Sequence, residues 1–373
     1  MNHRDLVEWL FTNSGPTIRY RTATELMAPS KNVDVVQLRH ELLQSEPVKT
    51  WLIRFVPFSR LNDIHGSKAT TFESVMGKLT DLGLRRGVAP FDQQTMPYRE
   101  WLKDNVDRPP KHIFDIFTRT LIAAFLARAG YVDEPAVGKV LRMRLETVYD
   151  FARQGRCDVY VNPDSYPKMP KSFKGKRLID PRLSLDGNLQ LPWIYDIVGF
   201  SAYLPEYGNE TDQERANTVI CYILNEQYQR FPEGYGILLA KNRTYYAMGW
   251  SVSLPGFVNK LSEDVSTQEV PPWILGAFVQ RLAIMGQFSI VRKHPWFINS
   301  LNHLEGFETE KGTYLFPRSY LPEKANGYWI TGARMGLEDN RNTKLAIELE
   351  STFWMAKLKT GCPFDYATIS CYA

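Results

Sequence analysis

With 373 residues the chain can bury a large core, and its 44% hydrophobic and 23% charged residues are those of an ordinary globular protein. The net charge of +4 gives no general case for nucleic acid as a partner. No apolar run has the length a membrane span requires, so a soluble, cytoplasmic protein without a cleaved export signal or transmembrane segment is expected.

Residues 4 to 12 place Leu6, Val7, Trp9, Leu10 and Phe11 on an amphipathic helix that Asn13-Ser14-Gly15-Pro16 ends, and Pro16 opens a second helix carrying Ile18, Ala23 and Leu26. Helical spacing continues over Val33 to Leu43 and again from Pro47 to Val56, before the loose stretch PFSRLNDIHGSKA. Thr70 or Thr71 caps a helix that runs to Leu82, with Phe72, Val75, Met76 and Leu79 inward and Gly83 as its stop. The same grammar predicts a helix from about His112 to Arg128 ending at Gly130, then another opened by Asp133-Glu134-Pro135.

Residues 156–190 break the rhythm with prolines and a basic run, and read as a long loop. Helices return at Pro192 to Tyr203 and Asp212 to Tyr228. A Gly- and Tyr-rich piece follows, in which Gly234-Tyr235-Gly236 reads as a turn. Pro271-Pro272 and Pro295 open two more helices, and Arg341 to Lys359 makes the last. No run of alternating strands stands out, so the expected class is all-α, one domain over residues 1–373.

Three helices end alike, at Gly83, Gly130 and Gly286, which sets a recurrence of roughly fifty residues, enough for an antiparallel helix pair and its loops. Aromatic residues make up 13% of the chain, with nine Trp and nineteen Tyr, and they crowd into Phe307 to Met355 among glycines and Glu308, Glu310, Glu323, Glu348 and Glu350. Such a stretch lines a cavity with apolar walls and a few polar anchors, or it builds a tightly packed core.

Gly-terminated helices at this interval, the final Glu-Ser-Thr-Phe-Trp helix and the aromatic content resemble the α/α toroid of the terpenoid cyclase and protein prenyltransferase superfamily, in particular its small bacterial prenyltransferase-like members. The resemblance implies two concentric rings of helices around an aromatic-lined cavity. Its chemistry does not carry over residue by residue. The Asp-x-Asp-Asp acid motif is missing, with Glu338-Asp339 the nearest approach, as are the Gln-x-x-x-Gly-x-Trp repeats and the Asp, Cys and His zinc set. IRYRTATELM also reads like a HEAT-type helix, so an open HEAT-like solenoid is the alternative architecture.

Candidate chemistry falls into four groups. Asp196, at a helix start beside Trp193 and Tyr195, is a general acid if an apolar pocket raises its pKa, or else a helix-start acid bonded to backbone amides. Glu350, among Phe353 and Trp354, is a second proton donor, or a structural carboxylate paired with Arg334 or Arg341. Asp63 and His65 put an acid and an imidazole in one loop, suited to acid–base work, or simply solvated. Lys171, Lys174 and Arg177, within a run that includes Lys168 and Lys176, offer a docking place for a diphosphate or polyanion, or form a solvated basic loop.

Trp193, Tyr195, Tyr245, Trp250, Tyr328 and Trp329 are the aromatic residues expected to face a substrate in a central cavity. Cys157, Cys221, Cys362 and Cys371 form no CxxC pair and no His stands at zinc-finger spacing, so reduced thiols, no metal and no cofactor are expected. The sequons Asn209-Glu-Thr211 and Asn242-Arg-Thr244 matter only in a secreted chain. The expected function is acid catalysis on an isoprenoid-like or bulky apolar small molecule. The alternatives are a sugar-active α/α-barrel enzyme and a non-catalytic helical-repeat binding protein.

Overall fold

The computed structural model describes residues 2–28, 33–56, 61–231, 235–249, 252–257 and 272–360. Helix accounts for 58% and strand for 6%. In chain order the helices are α1 (His3–Asn13), α2 (Pro16–Arg21, continued by a π turn Thr22–Leu26), α3 (Val35–Gln44), α4 (Glu46–Leu52), α5 (Leu61–Ile64), α6 (Phe72–Asp81), α7 (Ala89–Asn105), α8 (Asp115–Arg128) and α9 (Pro135–Ala152). Strands β1 (Tyr160–Val161), β2 (Leu178–Ile179), β3 (Ser184–Leu185) and β4 (Asn188–Leu189) come next. They precede α10 (Ile194–Tyr207), α11 (Glu210–Ile223), α12 (Glu226–Gln229), β5 (Tyr235–Leu239) and β6 (Tyr245–Gly249). The chain then forms α13 (Pro272–Met285), α14 (Ser289–Arg292), α15 (Pro295–Glu305) and α16 (Lys344–Lys359).

Local chemistry accounts for most of these boundaries. Thr71 Oγ1 accepts the Ser74 N–H at the start of α6, and Gly83 takes the left-handed conformation just after its end. Asp34 caps α3 by accepting from Val36 and Gln37, and Pro135 sits in the first turn of α9. The predicted helix from Asp212 to Tyr228 is two: α11 ends at Ile223, and Asn225 caps α12 through the Gln227 N–H. Helix α7, with Pro97 inside it, was not read from the sequence, because its run of polar residues shows little apolar periodicity.

The described residues form two compact units: one holds those up to Pro97 with those from 272 onward, the other those from Tyr98 to Phe257. In the first unit α16 packs on α1 and α13, and α6 on α4. Every residue of α6 is buried. Gly77 on that helix has no room for a Cβ, which would stand 2.4 Å from the Trp329 ring. The stretch from Phe307 to Met355 therefore closes this unit: Trp329 Nε1–H donates to Asp81 at 2.7 Å, and Lys78 donates to Glu323 at 2.6 Å.

In the second unit α8 packs against α9 and α10, and α9 against α11. Residues Ile116 to Ala127 of α8 are all buried, and Ala124 lets α10 approach at Gly199, where a Cβ would meet Leu141 Cδ2 at 2.4 Å. The expectation of no strands is corrected here. β1, β2, β5 and β6 form a four-stranded sheet, with β1–β2 and β5–β6 antiparallel and β2–β5 parallel. Tyr235 and Gly236 lie in β5 rather than in a turn, and glycine in a short strand hides its alternation.

The predicted loop over residues 156–190 is correspondingly folded: Tyr166, Met169 and Phe173 pack on the sheet core of Leu178, Ile237 and Tyr245. Cys157 is a free thiol whereas Cys221 is disulfide-bonded, a departure from the expectation of reduced thiols; Cys362 and Cys371 lie outside the described residues. No helix of the described residues is long and apolar enough to cross a membrane.

Candidate functional site

Asp196 lies in the first turn of α10 with no exposure to solvent. Arg144, equally buried on α9, donates Nε to Oδ1 at 2.9 Å and Nη2 to Oδ2 at 2.8 Å, and the Trp193 backbone N–H donates to Oδ2 at 2.8 Å. The remaining guanidinium donors go to Asn188 Oδ1 and to the carbonyls of Leu189 and Leu191, while the guanidinium rests 4.1 Å from the Trp193 ring centroid. Both carboxylate oxygens are thus taken up inside the core, and the pair holds the segment after β4 against α9. This is a structural carboxylate in place of the proton donor sought from the sequence.

Glu350 is in the same position in the other unit. Its side chain is fully buried, Arg341 grips both oxygens at 2.7–2.9 Å, and the Leu337 and Glu338 N–H groups donate to Oε1 at 2.6 and 3.0 Å. Of the two arginines considered as partners, Arg341 fills the role. Arg334 instead donates to the Lys324, Ser67 and Ala325 carbonyls.

Beside it, Glu338 accepts the Gly15 N–H with both oxygens, at 3.0 and 3.2 Å. Burial, helped by the charges of Glu350 and Asp339, pushes the Glu338 carboxyl up to about 7. A carboxyl raised above its unfolded value favours the fold fully below the unfolded pKa, and that contribution is lost as pH rises through the folded one, here between about 4.5 and about 7. Glu338→Gln keeps an acceptor for Gly15 and removes the charge. It is expected to add up to about 3 kcal/mol of stability at pH 8 and almost none near pH 4, measured by urea unfolding at both pH values. Equal stability of the two proteins at pH 8 would contradict the assignment.

His65 has a different setting. It follows α5, which carries a half-buried Asp63, and it precedes the Thr71 cap of α6, whose Oγ1 donates back to the Lys68 and Gly66 carbonyls. The turn brings His65 Nδ1 to 2.7 Å from Oε2 of Glu73, a fully buried carboxylate whose Oε1 accepts the Ile330 N–H at 3.3 Å. A carboxylate only accepts, so a neutral imidazole in this pair carries its proton on Nδ1 and presents Nε2 as its basic nitrogen. The His65 side chain is 29% exposed, and Tyr328, 40% exposed, stands with its ring 5.0 Å away. Gly327 N–H donates to the Ser67 carbonyl at 2.8 Å, which ties the two loops into one ledge.

The structure therefore brings His65 and Tyr328 together and places the other aromatic residues in packing roles. Trp193 and Tyr195 are buried against Phe117 with centroids 5.3 and 5.6 Å away, and Trp329 is buried on α6. Tyr245 is buried in the sheet core with its hydroxyl donating to the Pro167 carbonyl, and Trp250 lies outside the described residues. Lys171, Lys174 and Arg177 are exposed, Arg177 lying 5.3 Å from the Tyr160 ring centroid.

Two residues that complete these sites were missed in the sequence. Arg144 sits on the apolar stripe of Leu141, Leu145 and Val148, where a charge needs a buried partner. Glu73 falls two residues after the Thr71 cap, on a helix whose flanking positions are all apolar or small. Among the described residues no group of His, Cys, Asp and Glu is arranged to hold a metal ion. No family model, curated protein or solved structure matches the chain.

Proposed function

We propose that the chain is an enzyme of α/α-toroid type that acts on a bulky small molecule, with His65 as the proton-transfer group in place of Asp196 and Glu350. The observation that carries this reading is the 2.7 Å contact between His65 Nδ1 and the buried Glu73, on a partly exposed imidazole beside the exposed Tyr328 ring. Glu73 holds the ring in one orientation and tautomer, and it stabilises the imidazolium once Nε2 has taken a proton. Tyr328 supplies an aromatic face next to the reacting group for an apolar or cationic substrate. The toroid reading is supported within the second unit, where α8 and α10, buried along most of their lengths, alternate in chain order with α9 and α11, which bury one face.

The test is a screen of isoprenoid diphosphates and cyclic alkenes with products followed by mass spectrometry, repeated with His65→Gln and Glu73→Gln. Turnover is expected to fall by about 10²-fold or more in His65→Gln and by a smaller factor in Glu73→Gln. An imidazole NMR titration provides the second readout: Glu73→Gln is expected to redistribute the His65 proton between Nδ1 and Nε2. Turnover that survives His65→Gln, or a tautomer indifferent to Glu73→Gln, would sink the assignment.

A further inference from the structure

A groove of about 650 Å³ opens in the second unit, and none of His65, Glu73 and Tyr328 lines it. Its volume is that of a site for one small molecule. Three turns wall it: Lys111 to Ile113 ahead of α8, Leu185 to Gly187 between β3 and β4, and Ala240 to Arg243 between β5 and β6. The walls are held in place. Gly187 packs so closely on Ile113 that a Cβ would stand 2.4 Å from the Ile113 carbonyl oxygen, and Asn242 Oδ1 accepts the Thr244 N–H at 3.0 Å.

The groove is rich in donors. Lys241 pairs with Asp186, the one carboxylate in the lining; the Lys111 and Arg243 side chains form no ion pair among the described residues, while the Lys111 and His112 backbone N–H groups donate to Asp115 Oδ2 at 2.7 and 2.9 Å. His112 Nδ1 accepts the Phe114 N–H at 3.3 Å, so the neutral ring carries its proton on Nε2 and adds another donor. Tyr246, half-buried, sets its ring edge-on to His112 at 5.4 Å and gives the groove an aromatic wall.

Asp186 and Arg243 are the two non-glycine residues with positive φ among those described, at 52° and 62°, and both line this groove. Asp186-Gly187 is the pair a two-residue hairpin demands, which accounts for the first. Arg243 closes the three-residue loop between β5 and β6: its N–H donates to the Ala240 carbonyl, the Ala240 N–H donates to the Thr244 carbonyl, and the last residue of such a loop takes the left-handed conformation.

We propose that this groove binds a small organic phosphate, its oxyanion held by Lys111, His112 and Arg243 and its apolar part laid on the Tyr246 ring. Donors arriving from two opposed turns suit a tetrahedral oxyanion better than a planar carboxylate, which one fork of donors satisfies. The exposed basic run from Lys168 to Arg177 is a separate feature and takes no part. This site stands whether or not His65 transfers protons.

The experiment titrates phenyl phosphate, inorganic phosphate and benzoate into the full chain by calorimetry. Phenyl phosphate is expected to bind saturably with a Kd below about 1 mM and about tenfold more tightly than either other probe, since only it uses both the phosphate donors and the Tyr246 ring. Lys111→Ala and Arg243→Ala, both at exposed turns, are each expected to weaken it by about tenfold, with Lys174→Ala unchanged. Absence of saturable binding, or binding indifferent to Lys111→Ala and Arg243→Ala, overturns the site. Tighter binding of benzoate than of phenyl phosphate overturns the choice of phosphate.

Discussion

Replacing Arg144 with methionine lowers the stability of the protein by about 3–5 kcal/mol, the expected result of stranding a buried carboxylate. Asp196 loses both charge-assisted bonds, and the Asn188 side chain and the Leu189 and Leu191 carbonyls lose their shared donor. The Arg144 and Asp196 side chains are wholly buried, so water cannot replace the missing partner without opening the core. The double variant Arg144→Met, Asp196→Asn removes the stranded charge and is expected to recover a large part of the loss. Urea unfolding of the two variants and the parent measures this, and a loss under about 1 kcal/mol in the single variant would show that the pair is not the clamp described here.

Glu25→Gln is expected to destabilise the fold by about 3 kcal/mol, by leaving two cations facing each other. Glu25 accepts from Arg21 Nε and Nη2 at 2.6 and 2.9 Å and pairs with Lys357 from α16. Arg21 is itself 2% exposed, stacked 4.5 Å from the Phe353 ring centroid and donating to the Asp81 carbonyl. Burial would raise the Glu25 carboxyl, but the charges of Arg21 and Lys357 hold it well below its ordinary value. Its contribution is therefore present above pH about 4.5 and lost as pH falls through the folded value.

Lys357 moves the other way for a base: burial lowers it to about 8 against the pull of Glu25. Below pH 8 the folded state carries the full penalty of that buried ammonium. Between about 8 and about 10.5 the folded protein sheds the proton before the unfolded chain does, and stability rises. The deficit of Glu25→Gln is thus expected to be smaller at pH 9.5 than at pH 7, and Lys357→Met added to it should restore stability at pH 7. A deficit that is the same at both pH values would place the cause elsewhere than the two cations.

The two carboxylates that attracted attention in the sequence share a lesson. Asp196 and Glu350 both sit among aromatic residues in the sequence, and the fold buries both. Burial alone does not separate a catalytic acid from a paired one. What separates them is the partner, and Arg144 lies 52 residues from Asp196 along the chain. The sequence sets His65 beside Asp63 in one stretch, whereas the carboxylate that meets its ring at Nδ1 is Glu73, on the next helix. The strands were within reach of the sequence: Leu185-Asp186-Gly187-Asn188 carries the Asp-Gly signature of a hairpin, obscured by the prolines and lysines before it.

The sequence by itself determined the helical class and the ends of most helices. Thr71 and Asp34 as caps, Pro16 and Pro135 as starts, and Gly83 and Gly130 as stops act on backbone groups within four residues, and such interactions need nothing from the rest of the chain. Only the tertiary structure decided which buried charges met. Lys78 with Glu323, Lys357 with Glu25 and Trp329 with Asp81 join segments more than two hundred residues apart. A buried charge requires some partner, and the choice of partner is made by which helices pack and at what register, a property that no local stretch of sequence contains.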